Sequence, residues 1–133
     1  FGQEGRLQRA LKDLDDLVGA LKTGMGDEWK NTVVLVATEF GRTAAANGTG
    51  GTDHGTGACA MVFGGKVKTS KIIADWPGLR GSDLYENRDL KPTNDLNGLI
   101  AGTAANAFNL DPQLVARHLF PNRTPSGIIT GLV

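Results

Sequence analysis

The run Thr32-Val33-Val34-Leu35-Val36-Ala37-Thr38 constrains the fold more than any other stretch, because it is β-branched and apolar almost without interruption. A strand with one wet face alternates apolar and polar residues. A continuous apolar run instead predicts an interior strand covered on both faces, as in parallel sheets. The run ends in Glu39-Phe40-Gly41-Arg42, and a glycine-rich loop then carries Gly51-Thr52-Asp53-His54-Gly55. An acid and a guanidinium at a strand end, followed by an aspartate and one of only two histidines, are donors of the kind that build metal-assisted hydrolytic sites.

Composition narrows the classes. The 133 residues fit one domain with a core of its own. Fourteen basic residues balance fourteen acidic ones, so no overall field favours nucleic acid or an anionic membrane. Basic patches interleaved with aromatics are also missing, so nucleic acid is not an expected partner. The 19 glycines, about twice the usual share, favour a loop-rich α/β protein over a helical bundle. The single Cys59 excludes an internal disulfide and a cysteine-rich zinc module; lying in an apolar run, it reads as an inert buried thiol. No run of eighteen apolar residues is present, so no membrane span is expected in this chain. It opens on Phe1 and carries no signal peptide, and the natural N-terminus is expected further upstream.

Leu7, Ala10, Leu11, Leu14, Leu17, Val18 and Leu21 recur at spacings of three and four, predicting an amphipathic helix over about Gln3 to Lys22. Gly24 and Gly26 should end it. Ala58 to Phe63 reads as a second buried strand, and Val67 to Ile73 as a weaker one at an edge. Residues 74 to 92, with Pro77, Gly78, Gly81 and Pro92, read as an extended loop. Thr93 or Asn94 is expected to cap a helix running to about Phe108, with Leu96, Leu99, Ile100, Ala104 and Phe108 inward. Asp111-Pro112 is a helix start, an acceptor side chain followed by proline at the first helical position. Leu114, Val115, Leu119 and Phe120 supply the apolar face of that helix. The tail Gly127 to Gly131 is expected to add a small strand.

Each candidate site residue has two readings. Glu39 is either a metal ligand or general base, or a carboxylate paired with Arg42 at a turn. Asp53 and His54 suit zinc, manganese or iron, but a loop histidine is more often a hydrogen-bonding spacer. Only two histidines are present, so a three-histidine zinc site within this chain is excluded. Arg42 either holds a phosphoryl or sulfuryl oxyanion with its planar fork or neutralises Glu39 or Asp53. Asn47 and its glycines match no nucleotide-binding spacing, and a strand pattern rather than a helix follows them, which excludes a phosphate-cradling helix N-terminus. His118, Trp29 and Trp76 read as structural.

Taken in order, the first helix, Thr-Val-Val-Leu-Val-Ala-Thr-Glu-Phe-Gly-Arg-Thr, Asn-Gly-Thr-Gly-Gly-Thr-Asp-His-Gly and Met-Val-Phe-Gly-Gly-Lys-Val-Lys resemble the C-terminal part of the domain of unknown function 1501 family. Asp89-Leu90-Lys91-Pro92-Thr93 followed by Asp95 fits the same pattern. Members of that family look like relatives of the alkaline phosphatase and sulfatase superfamily. The resemblance implies an α/β fold with a mostly parallel or mixed sheet flanked by helices, here its C-terminal portion. It also implies a metal-dependent hydrolase of small anionic phosphate or sulfate esters. Glu39, His54 and Asp53 would then bind a divalent metal (zinc, manganese or calcium), while Arg42 and Asp53 serve the chemistry. Glu39 stands where the superfamily has an aspartate, but Phe40 replaces the histidine beside it. The superfamily's nucleophile lies upstream of anything this chain could supply. An isolated fragment is therefore expected to be inactive and to self-associate through its bared apolar faces. A periplasmic or extracytoplasmic location is also implied. The alternative is a non-catalytic exported binding protein on the same fold.

Overall fold

The computed structural model describes residues 5–133. Helix α1 spans Arg6–Met25, and a 3-10 turn, Gly26–Asn31, leads into strand β1, Val34–Val36. Two short strands follow, β2 (Gly41–Arg42) and β3 (His54–Gly55), then β4 (Met61–Phe63). After a long irregular stretch come α2, Leu96–Phe108, and α3, Pro112–Leu119. The chain thus mixes helices with small sheets, in keeping with the α/β class.

The expected parallel sheet is replaced by two antiparallel pairs. β1 pairs with β4, Val34 opposite Phe63 and Val36 opposite Met61, and β2 pairs with β3. The covered central strand is also corrected: only Val34 to Val36 form a ladder, and all three are half-buried rather than enclosed. A continuous apolar run signals burial potential but carries no strand direction, so the parallel reading overreached. The second strand forms as expected but is trimmed to Met61–Phe63, which leaves Cys59 exposed and not the buried thiol of the sequence reading. The stretch Val67 to Ile73 forms no strand. Ile72 is almost wholly exposed, and Trp76 is exposed as well rather than packed.

α1 has the periodicity the sequence dictates, yet none of its residues is buried. Leu7, Leu11, Leu17 and Leu21 are exposed along it. The expected start at Gln3 lies outside the described residues. Its end falls later than Lys22: Gly24 stays helical, and Gly26 at φ 51° closes the helix, a left-handed value that suits glycine.

The core sits instead around α2. Its buried residues are Gly98, Ala101, Gly102, Thr103 and Ala105, a small-residue face, whereas the expected inward Phe108 is exposed. The reason lies in the C-terminal tail. A side chain at Gly98 would strike the carbonyl of Gly127, and one at Gly102 the carbonyl of Ile129. Ile129 N–H donates to the Gly98 carbonyl at 3.3 Å, so the tail runs along the helix as an extended segment rather than as a strand. Leu132 and Val133 end it buried. α3 packs on α2 and starts as the sequence dictates, with Asp111 accepting from Leu114 N–H at 2.8 Å and Pro112 in the first turn. Ala116 is its buried residue, while Leu114 and Leu119 are exposed.

Asp95, one residue past the expected cap, holds this corner together. One carboxylate oxygen accepts from Asn97 N–H at 2.9 Å, capping α2, and the other accepts from Ser126 N–H at 3.0 Å. Arg123 lies 3.7 Å away. Burial disfavours its charge, but the N–H groups of Ser126 and Asn97 and the Arg123 guanidinium outweigh it and hold Asp95 below the ordinary carboxylate value. A depressed folded-state value means stability that is present above the unfolded value and lost as pH falls through the folded one. Asp95→Asn is expected to cost about 1–3 kcal/mol at pH 7. In thermal unfolding scans the gap to the wild-type chain should narrow below about pH 4; a gap that widens on acidification would contradict the assignment. Gly102→Ala is expected to cost about 1–3 kcal/mol as well, because the tail must be displaced. Equilibrium denaturation measures that loss.

Candidate functional site

The sequence signals around Glu39 and His54 meet at the β2–β3 pair. Gly41 lies opposite Gly55 and Arg42 opposite His54. Directly opposed residues of an antiparallel pair project to the same face with Cβ atoms about 5 Å apart. Phe40 immediately precedes β2, and its side chain reaches the His54 imidazole on this face. Its ring lies 4.8 Å from the His54 imidazole, centroid to centroid, at an interplanar angle of 44°. All three side chains are exposed.

Glycine makes this arrangement possible. A Cβ on Gly41 would collide with the backbone of Gly57, and one on Gly55 would lie 2.6 Å from the Arg42 carbonyl carbon. A Cβ on Gly57 would strike the Leu90 carbonyl. With no side chains between them, three backbone segments close up around Arg42 and Thr43. Arg42 N–H donates to Gly57 O at 3.1 Å and Thr43 N–H to Asp53 O at 3.2 Å on one side. Ala44 N–H donates to Arg88 O at 3.0 Å and Leu90 N–H to Arg42 O at 3.3 Å on the other.

The intervening loop is organised by two side chains. Asn47 Oδ1 accepts from Thr49 N–H, Thr49 Oγ1 and Gly51 N–H, while its Nδ2 donates to Asp53 Oδ1 at 2.8 Å. Thr43 Oγ1 donates to Ala45 O and accepts from Asp53 N–H. Asp53 is therefore held by Asn47 and the loop backbone. Arg42 Nη1 donates to Thr52 O at 3.0 Å, which steadies one edge of its guanidinium. Among the described residues Arg42 forms an ion pair with neither Glu39 nor Asp53. Glu39 is exposed beside Phe40. The residue of that strand end found against His54 is Phe40.

Among the described residues no three His, Cys, Asp or Glu side chains gather closely enough to hold a metal ion. Glu39, Asp53 and His54 thus do not by themselves form a metal-binding group. What the face presents is a steadied guanidinium, an imidazole opposite it and an open aromatic ring. Such a set can accept the oxygens of an anion through charge-assisted hydrogen bonds.

Behind the hairpin, Tyr85 to Asp89 forms a tight turn with Glu86 and Asn87 at positive φ, bringing Asp89 opposite Thr43. Asp89 is 2% exposed. Arg88 Nε lies 2.7 Å from its Oδ1, near enough for an ion pair but too poorly aligned to donate a hydrogen bond, so that oxygen has none. As Thr43 and Arg42 alternate along the strand, Asp89 sits on the side opposite Arg42 and His54. His118, expected to be structural, is exposed with Arg117 in the last turn of α3, where a cation suits the helix dipole. A separate apolar groove between β1 and α2, of about 390 Å³, is lined by Val33, Leu35, Ile100, Ala104 and Phe108 among others and shares no residue with the hairpin.

Sequence reasoning missed Asn47 and Thr43 as the supports of the loop. The readable signal was Asn47-Gly48 itself, since asparagine side chains cap tight turns. Asn47→Ala is expected to cost about 1–3 kcal/mol, with amide exchange quickening at Thr49 to Asp53. Unchanged protection there would show that Asn47 does not organise the loop.

Over residues 2–119 the chain matches the family described as protein of unknown function (DUF1501). No curated protein and no solved structure matches it. The family match covers nearly all of the chain, the β2–β3 hairpin included, and the chain belongs to the DUF1501 family.

Proposed function

We propose that this chain forms the oxyanion-holding part of a hydrolase acting on small phosphate or sulfate esters. The observation that carries the reading is the cross-strand placement of Arg42 opposite His54, with the guanidinium anchored on Thr52 and unclaimed by an acid among the described residues. The guanidinium fork matches two equatorial oxygens of a phosphoryl or sulfuryl group. Charge that develops on those oxygens during ester cleavage is stabilised by donors already fixed in place. Asp53, tied to Asn47, keeps the loop that bears His54 in register.

Kinship with the alkaline phosphatase and sulfatase superfamily is the finer form of this proposal. It is supported by the resemblance of the Glu39 strand end and of His54 to that superfamily's pattern, and with it come the divalent metal and an extracytoplasmic location. A bound ion would act as a Lewis acid on the ester. His54 and Asp53 would be ligands within this chain, and further ligands would come from elsewhere. The nucleophile is assigned to no residue described here. The second reading, a non-catalytic exported binding protein, is favoured by the lack of a metal-holding group among the described residues.

The test is a panel of phosphate monoesters and sulfate esters offered to the natural full-length protein, with zinc, manganese or calcium supplied. Hydrolysis of at least one class is expected, and Arg42→Ala should lower kcat/KM on the order of a hundredfold while the fold is retained. Wild-type turnover in Arg42→Ala would remove Arg42 from the mechanism. Failure to hydrolyse any ester, with ester binding retained, would replace the hydrolase by the binding protein.

A further inference from the structure

An aromatic ring beside a guanidinium and an imidazole is a recognition element in its own right. Phe40 is 54% exposed, although strand alternation could have turned it inward and the chain has apolar faces against which to pack it. Its ring lies 4.8 Å from the His54 imidazole, tilted by 44°. Arg42 and His54 oppose each other across the β2–β3 pair, and the ring of Phe40, just ahead of β2, lies beside the imidazole. An anionic group held by Arg42 and His54 would therefore leave the rest of its molecule next to the open part of the Phe40 ring.

We propose that Phe40 selects ring-bearing esters: the face takes a phosphate or sulfate ester whose organic group presents a flat ring, aryl or pyranose, to Phe40. This rests on the reading of Arg42 and His54 as the oxyanion-holding pair. An aromatic face attracts the edge or face of another aromatic ring, or the C–H face of a sugar, and gains little from a short open-chain alcohol. Arg42 and His54 fix the charged end and the ring sets the preference. Phe40 is thus a specificity residue and takes no part in bond making.

The test is calorimetric titration of the full chain with inorganic phosphate, glycerol 3-phosphate, phenyl phosphate and glucose 6-phosphate. Phenyl phosphate or glucose 6-phosphate is expected to bind about two- to tenfold more tightly than glycerol 3-phosphate, and the stronger of the two tells an aryl from a pyranose group. Phe40→Leu should abolish the preference and leave inorganic phosphate within about twofold, and Phe40→Tyr should keep the preference. Arg42→Ala should weaken all four probes together. Equal affinity for open-chain and ring esters in the wild-type chain, or a preference that survives Phe40→Leu, overturns the role of Phe40 while the oxyanion pair stands. Absence of any saturable response to inorganic phosphate overturns the oxyanion pair, and this inference with it.

Discussion

The close approach of three backbone segments at Gly41, Gly55 and Gly57 is the constraint on which the site depends. Side chains at these positions would push the segments apart, and the hydrogen bonds from Arg42, Thr43, Ala44 and Leu90 would be lost together. Because the contacts are backbone to backbone, Arg42 and His54 are set opposite each other by main-chain geometry rather than by contacts of their own. Their side chains are exposed, Arg42 with one bond to Thr52 O and His54 beside the Phe40 ring.

Glycine does the same work elsewhere in the chain. On α2, Gly98 and Gly102 admit the extended tail against the helix backbone, and Asp95 clamps the tail at the helix start through Ser126. At these positions glycine marks places where main chain meets main chain. α1 stands in contrast. It carries a regular apolar stripe, yet none of its residues is buried, and its contacts run to the 3-10 turn that follows it.

Local signals in the sequence proved legible, and those that depend on distant partners did not. Asp111-Pro112 announced α3 because capping is settled within one turn. The apolar runs announced β1 and β4, though longer than they form, since hydrophobicity does not say where hydrogen-bonding partners stop. Strand direction was unreadable for the same reason. The inward face of α2 was misread because bulk was taken for burial. The tail chose the glycine side, and that choice is made by residues some thirty positions away. At the site, residue types and approximate spacing pointed to Arg42, Asp53 and His54, which the hairpin does bring close. Glu39 was expected to face His54; the ring found against the imidazole is that of Phe40. Asp53 was expected beside the chemistry, and its carboxylate accepts from Asn47.

The central claim is that the hairpin presents Phe40, Arg42 and His54 together on one face. Nuclear Overhauser spectroscopy of the chain tests it most directly. The account predicts cross-strand contacts between Arg42 and His54, contacts between the ring protons of Phe40 and His54, and ring-current displacement of the imidazole protons that vanishes in Phe40→Leu. Only sequential contacts at these residues, with imidazole protons indifferent to Phe40, would contradict it.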